Sequence, residues 1–370
     1  MAHFDFSEAT PFKAIHVGEY IKDELAARGM QQKELAKMTG IQTSVLNDII
    51  KGKRDLTAEH SVLIGNALGI NDDFFYDLQK QYDMDRARLS ERVAQQAAAI
   101  TIWNVLKGYI SEKFFKKMGV LTSDIKKDVE VMFEIFGVKN LDEFLVLQEQ
   151  EARIAYYKKS EKLATNEVDL FSWKYYSMHE AKKTQLNVGF DKKSIDSLCA
   201  ELNVIFAENV DVVNRTKIAC EKSGVKFLTV KKEGQVPVDG MSFWQGENPT
   251  VVLTMRRGTI DNFAFAMMHE LGHISLHLNT GEKVFVNISD GEMKNIYEKE
   301  ADGFARNKLI PADKWKSFCQ RTKNVSPYQI QSYIQRFSEE NGINAQIVLG
   351  RYMFDTHCYN VRSTFGRNIN

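Results

Sequence analysis

Apolar residues recur at helical spacing from residue 16 to residue 83: Ile21, Leu25 and Ala26, then Leu35 and Ala36, then Val45, Leu46 and Ile49. Gly29, Gly40, Gly52 and Gly69 stand where successive helices should end, and Thr57 stands where the fourth should begin. The pattern predicts five short helices, the last from about Asp72 to Gln81. Residues 84–185 also read as helical, with polar outer faces. Ser123 is expected to cap a helix carrying Val129, Met132, Phe133 and Phe136, and Asn140 with Glu143 fits a capping box. That stretch shows no chemistry and reads as a structural or oligomerising connector, with ligand sensing as the alternative.

The texture changes near residue 186. Asp191 should cap a helix, and another should run from about Asp211 to Ser223. Three β-rich runs follow, at 225–230, 240–245 and 250–255, and then a long helix from about Thr259. Beyond Pro311 three short helices are expected, the last from near Ile343 to about His357. The fold expected is α+β and predominantly helical. It divides into a five-helix N-terminal domain (1–83), a helical connector (84–185), a core with a small sheet (186–311) and a helical extension (312–370).

Composition narrows the classes. With 49 basic and 49 acidic side chains in 370 residues, the chain is no general polycation, although a local basic patch is compatible with that balance. Its 44% apolar content supplies ample core. Cys199, Cys220, Cys319 and Cys358 are too few and too scattered for a disulfide framework, which suits a reducing, cytoplasmic setting. Met1–Lys13 lacks the basic and apolar segments of a signal peptide, and no run of about 18 uncharged apolar residues occurs, so no membrane association is expected.

The longest apolar run, Phe263 to Leu278, is interrupted by His269, Glu270 and His273. These form HExxH. On a helix the two imidazoles lie one turn apart on one face and can grip a single Zn²⁺, while Glu270, roughly 100° round the axis, can take a proton from an attacking water. Polar groups in so apolar a helix are costly unless they are paired. A third ligand is needed. Glu298 is preferred, because Asp302 one turn on can then accept the N–H of a ligating histidine. Glu300 is the second candidate and His277 the third, His277 reading more readily as a supporting or packing residue. Tyr297, Arg351 and His357 are candidates to stabilise the oxyanion. The run 250–255 is a candidate strand for pairing with an extended substrate.

A second constellation lies near the N-terminus. Residues 32–54 read as helix, glycine turn, helix and basic loop. The second helix should expose Thr43, Ser44, Asn47 and Asp48, short polar groups able to reach base edges, while Lys51, Lys53 and Arg54 hold phosphates. Residues 1–83 nevertheless carry nine basic against thirteen acidic side chains, net −4. Non-specific affinity should therefore be weak, and binding is expected to need a homodimer on palindromic operator DNA.

Two resemblances follow from these residues. HELGHISLH (269–277), EKEADGFA (298–305) and LIP (309–311) together resemble the ImmA/IrrE metallopeptidases over residues 215–311. That likeness implies a gluzincin-like zinc endopeptidase with one Zn²⁺ per chain, Glu298 as third ligand, and a repressor- or antitoxin-like protein as substrate. Residues 16–83 resemble the XRE class of helix-turn-helix domains, close to HigA-type antitoxins, in which the positions of Gln32, Thr43, Ser44 and Asn47 contact DNA. Two functions remain open: a cytoplasmic DNA-binding regulator that cleaves a protein partner or itself, and an antitoxin-like repressor whose peptidase-like domain only binds a partner or senses a signal.

Overall fold

A computed structural model describes residues 12–158, 167–232, 238–278, 284–288, 296–326, 329–359, 361 and 364–369. Most of the N-terminal segment read for a signal peptide, residues 1–11, lies outside them. The chain divides into two compact units, Met1–Asn104 and Val105–Asn370. No helix among the described residues is long and apolar enough to cross a membrane.

The first unit contains α1 (Val17–Ala27), α2 (Gln32–Thr39), α3 (Thr43–Ile50), α4 (Ala58–Leu68) and α5 (Phe74–Arg88), and α6 (Glu91–Leu106) leads out of it. Of the set read from the periodicity, Ile21, Leu25, Leu35, Ala36, Leu46 and Ile49 are buried, while Val45 is half-buried and Ala26 is exposed; Val17, Ile64 and Phe75 join them in the core. Thr57 caps α4 by accepting the His60 N–H, as expected. The last of the five helices does not stop at Gln81. It continues to Arg88 on a charged surface laced by Lys80–Asp77 and Arg88–Asp85 pairs, which carry helix without an apolar stripe.

The second unit opens with α7 (Glu112–Lys117), α8 (Ile125–Phe136), α9 (Leu141–Lys158) and α10 (Glu167–Lys183). Asp124, and not Ser123, caps α8, because its carboxylate accepts the Lys126 N–H. Asn140 accepts the Glu143 N–H, but Glu143 reaches back to the N–H of Lys139, one residue short of the expected box. Trp173 of α10 is buried and donates its indole N–H to Val230 O at 3.0 Å, tying these helices to the sheet that follows.

Next come α11 (Ile195–Glu208) and α12 (Val212–Lys222), then β1 (Lys226–Thr229), β2 (Val238–Gln245) and β3 (Asn248–Leu253). They are followed by α13 (Ile260–Leu276), β4 (Val284–Ile288), α14 (Ile296–Leu309), α15 (Ala312–Thr322), α16 (Ile330–Asn341) and α17 (Ala345–Thr356). The sheet order is β1-β3-β2-β4, with β1 parallel to β3 and the other pairs antiparallel. β3 is buried throughout and paired on both sides, so the run 250–255 offers no free edge to a substrate. β4, which the apolar pattern did not reveal, forms an edge instead.

α13 is apolar nearly all round because it is buried nearly all round, between the sheet, α14 and α17. Its approach to α14 depends on Gly272, where a Cβ would stand 3.1 Å from Ala301 Cα and 3.2 Å from Phe304 Cβ. Only a residue without a side chain allows the backbones so close.

Candidate metal centre and nucleic-acid interface

α13 projects His269 and His273 from one face, and α14, held against it at Gly272, projects Glu298 toward both. His269 Nε2 and His273 Nε2 lie 3.0 Å apart, and Glu298 places Oε2 3.2 Å from the first and Oε1 3.4 Å from the second. All three ligand atoms lie within 4.8 Å of one another, a group that can hold a metal ion. Donors 2.0–2.2 Å from a common tetrahedral centre would stand about 3.3 Å apart, so the spacing fits.

The protonation pattern fits as well. Asp302 Oδ1 lies 3.0 Å from His269 Nδ1, and a carboxylate only accepts, so that nitrogen carries the proton. In the neutral ring, Nε2 then presents a lone pair to the cluster. Burial works against charge on His269, but its bonds to Asp302 and Glu298 outweigh it and raise the pKa to about 9. His273, under the same burial with less compensation, is lowered. Burial alone would raise Glu298, yet its bonds to both imidazoles hold it well below the usual carboxylate range.

Glu270 is fully buried beside this cluster, and neither of its oxygens has a hydrogen-bond partner among the described residues. Ser242 Oγ faces it without meeting hydrogen-bond geometry. Burial pushes the Glu270 carboxyl up to about 8, against the opposing influence of His269. A buried carboxyl with both oxygens unpaired is expensive, and such groups concentrate where a site must hold or move a proton. Space for it exists because β2 carries glycine at 240: a Cβ there would come within 2.8 Å of Glu270 Oε1. Neither Gly240 nor Gly272 was visible as a site residue in the sequence, since each matters only through what packs against it.

The structure separates the other candidates. Glu300 stands outside the cluster, 2.9 Å from His277 Nε2, and His277 Nδ1 lies 3.0 Å from His273 Nδ1. Tyr297 packs edge-on against His277, with ring centroids 5.0 Å apart. Arg351 is committed elsewhere: it donates to Arg306 O and Ile310 O at 2.8 Å each and lies over the Trp315 ring, so it ties down the end of α14. His357 is an exposed residue at the end of α17.

In the first unit, Thr43 and Ser44 are exposed at the start of α3, Asn47 is half-buried one turn on, and Gln32 is half-buried at the start of α2. Lys51, Lys53 and Arg54 are exposed, and their loop is fixed by Asp48 O, which accepts the N–H groups of Lys53 and Arg54. The net negative charge of this region conceals a sorting of its cations. Lys22, Arg28 and Lys80 pair with Glu19, Glu24 and Asp77, whereas Lys33, Lys37, Lys51, Lys53 and Arg54 make no ion pair among the described residues. Lys13 apart, the unpaired cations thus gather on α2 and the loop after α3.

Residues 21–75 match the helix-turn-helix family, and residues 220–333 match the family of the IrrE N-terminal-like domain, peptidase family M78. The chain joins a DNA-binding helix-turn-helix domain to an IrrE-like metallopeptidase-type domain. Among solved structures it is similar to an addiction module antidote protein of a HigA family from Coxiella burnetii, at 31% identity over 21% of this chain and 85% of that one, with a TM-score of 0.20. No curated protein matches the chain. The make-up is that of a transcription regulator. The IrrE-like match contains β1 to β4, α13, α14 and the whole histidine–carboxylate cluster, and the helix-turn-helix match contains Gln32 to Arg54.

Proposed function

We propose that this protein is a cytoplasmic transcription regulator that binds operator DNA as a homodimer and cleaves a repressor- or antitoxin-like protein, or itself, as a zinc endopeptidase. The observation that carries this reading is the convergence of His269, His273 and Glu298 beside a buried, unpartnered Glu270. The first three residues would hold the metal, which when bound polarises a peptide carbonyl and makes water more acidic. Asp302 keeps the His269 ring turned so that Nε2 faces the metal. Glu270 takes the proton of the attacking water and returns it to the leaving amine. The apolar packing around α13 excludes bulk solvent from that transfer. The test is incubation of the purified full-length protein with the product of the neighbouring gene, with and without chelator, read by mass spectrometry. Chelator-sensitive fragments are expected. An intact partner and an intact regulator in both arms would leave only a repressor that binds.

Metal and proton compete for His269 Nε2. Because the pKa of that ring is raised to about 9, each zinc bound near neutrality displaces about one proton, and zinc affinity should climb close to tenfold per unit from about pH 6 to about pH 8. Competition titrations against a chromophoric chelator check this, and a flat profile would contradict it.

For the DNA arm, Ser44→Ala with Asn47→Ala should weaken specific operator binding by about 1–3 kcal/mol for each base that α3 no longer reads, while leaving the salt dependence unchanged. Lys53→Ala with Arg54→Ala should weaken all sequences alike and flatten the salt dependence. Fluorescence anisotropy over a salt series separates the two. Equal effects of both double variants on cognate and scrambled DNA would rule out base reading by α3.

A further inference from the structure

Both histidines of the cluster must present Nε2 as a lone pair, and the two rings meet that requirement differently. His269 leans directly on buried Asp302. Among the described residues, no carboxylate meets the outer nitrogen of His273, which instead lies 3.0 Å from Nδ1 of His277. Two ring nitrogens at that distance share one proton, and the next residue decides which ring carries it. Glu300 Oε2 lies 2.9 Å from His277 Nε2. The carboxylate accepts, so His277 bears its proton on Nε2 and offers Nδ1 as an acceptor. His273 must then donate from Nδ1, which leaves its Nε2 bare and directed at His269 and Glu298.

We propose that Glu300 and His277 form a positioning relay that fixes the tautomer and the ring orientation of His273 for metal binding. The relay rests on the metal reading proposed above. Packing holds it in line: Phe285 of β4 stacks on His273 at 4.5 Å with 13° between planes, and Tyr297 meets His277 edge-on. His277 is buried, while the Glu300 side chain is 50% exposed. The relay therefore connects the inner face of one ligand to the protein surface, whereas the Asp302 side is closed. His277 and Glu300, both candidates for the third ligand by sequence, act one and two hydrogen bonds behind the ligand they support.

The test is zinc affinity of the full-length protein at a single pH, by competition against a chromophoric chelator. His277→Phe keeps a ring between Phe285 and Tyr297 but removes the acceptor, and it should weaken zinc binding ten- to a hundredfold. Glu300→Ala should weaken it several-fold. Glu300→Gln, whose amide oxygen still accepts the His277 proton, should stay within threefold of wild type. The double variant His277→Phe with Glu300→Ala should bind no more weakly than His277→Phe alone, because the two changes break one chain. Wild-type affinity in both single variants, or additive losses in the double, would overturn the relay. Should His277→Phe fail to fold, the exposed Glu300 pair, Ala against Gln, decides alone. A wild-type protein that takes up no zinc would overturn the metal reading itself, and the relay with it.

Discussion

Glu270→Gln is expected to leave zinc bound and to reduce cleavage by about 10²–10⁴-fold, the usual contribution of a general base. Glutamine matches the volume and still fits against Gly240, but it cannot take up a proton. The environment sets this expectation: Glu270 is fully buried, neither oxygen has a hydrogen-bond partner among the described residues, and burial has pushed its pKa up to about 8. A cation held by the neighbouring imidazoles favours the charged form of the carboxyl and so draws that value back toward neutrality. The variant should also separate catalysis from folding. An acid whose pKa is raised on folding stabilises the folded state below its ordinary value of 4.5, and that stabilisation is lost as pH rises through about 8. Zinc-stripped wild type should therefore lose stability across this window, and Glu270→Gln should lose less. Thermal melts of the stripped proteins at several pH values, with cleavage assays and metal analysis of the loaded ones, give all three readings. Full activity in Glu270→Gln would remove Glu270 from the chemistry.

Gly272→Val should damage the centre without touching a ligand. Its side chain would press on Ala301 Cα and Phe304 Cβ, already 3.1 and 3.2 Å from a bare Cβ, and α14 would have to move away. Overpacking of this kind costs about 1–3 kcal/mol. The larger consequence is geometric. Glu298 rides on α14, and a metal centre tolerates displacement of only about 0.5 Å. A drop in zinc affinity of tenfold or more is expected, with a lower melting temperature and little cleavage. Gly303→Ala is the control. It lies on the same helix, a Cβ there meets nothing within 4 Å, and the change should be neutral or stabilise α14 by about 0.5–1 kcal/mol. If Gly272→Val binds zinc as tightly as Gly303→Ala does, the close crossing of the two helices is not what sets the distance between ligands.

The parts of this molecule that sequence made legible are those written in local spacing. Residues four apart on a helix share a face, so the proximity of His269 to His273 and of Glu298 to Asp302 follows from periodicity alone. The core of the first unit was legible for the same reason. What sequence left obscure depends on partners distant in the chain. β4 is a five-residue strand whose pairing with β2 spans α13, and no alternation within so short a run identifies it. Arg351 qualified as an oxyanion donor by type, and only packing reveals that it is spent on the carbonyls of Arg306 and Ile310. Gly240 and Gly272 are chosen for what they omit, which shows only once Glu270 and Ala301 are seen against them. Glu300 lost its place as a ligand candidate to Glu298 because residues two apart on a helix point apart, and its bond to His277 required both helices in place.

The division of the cluster between α13 and α14 also bears on how the protein is made. Two imidazoles emerge from the ribosome with α13, and the carboxylate that closes the set arrives only in a later helix, beyond β4. A nascent or truncated chain that ends before α14 carries two of the three candidate donors and lacks Glu298. On the function proposed above, an interrupted translation product that stops short of α14 should therefore not cleave.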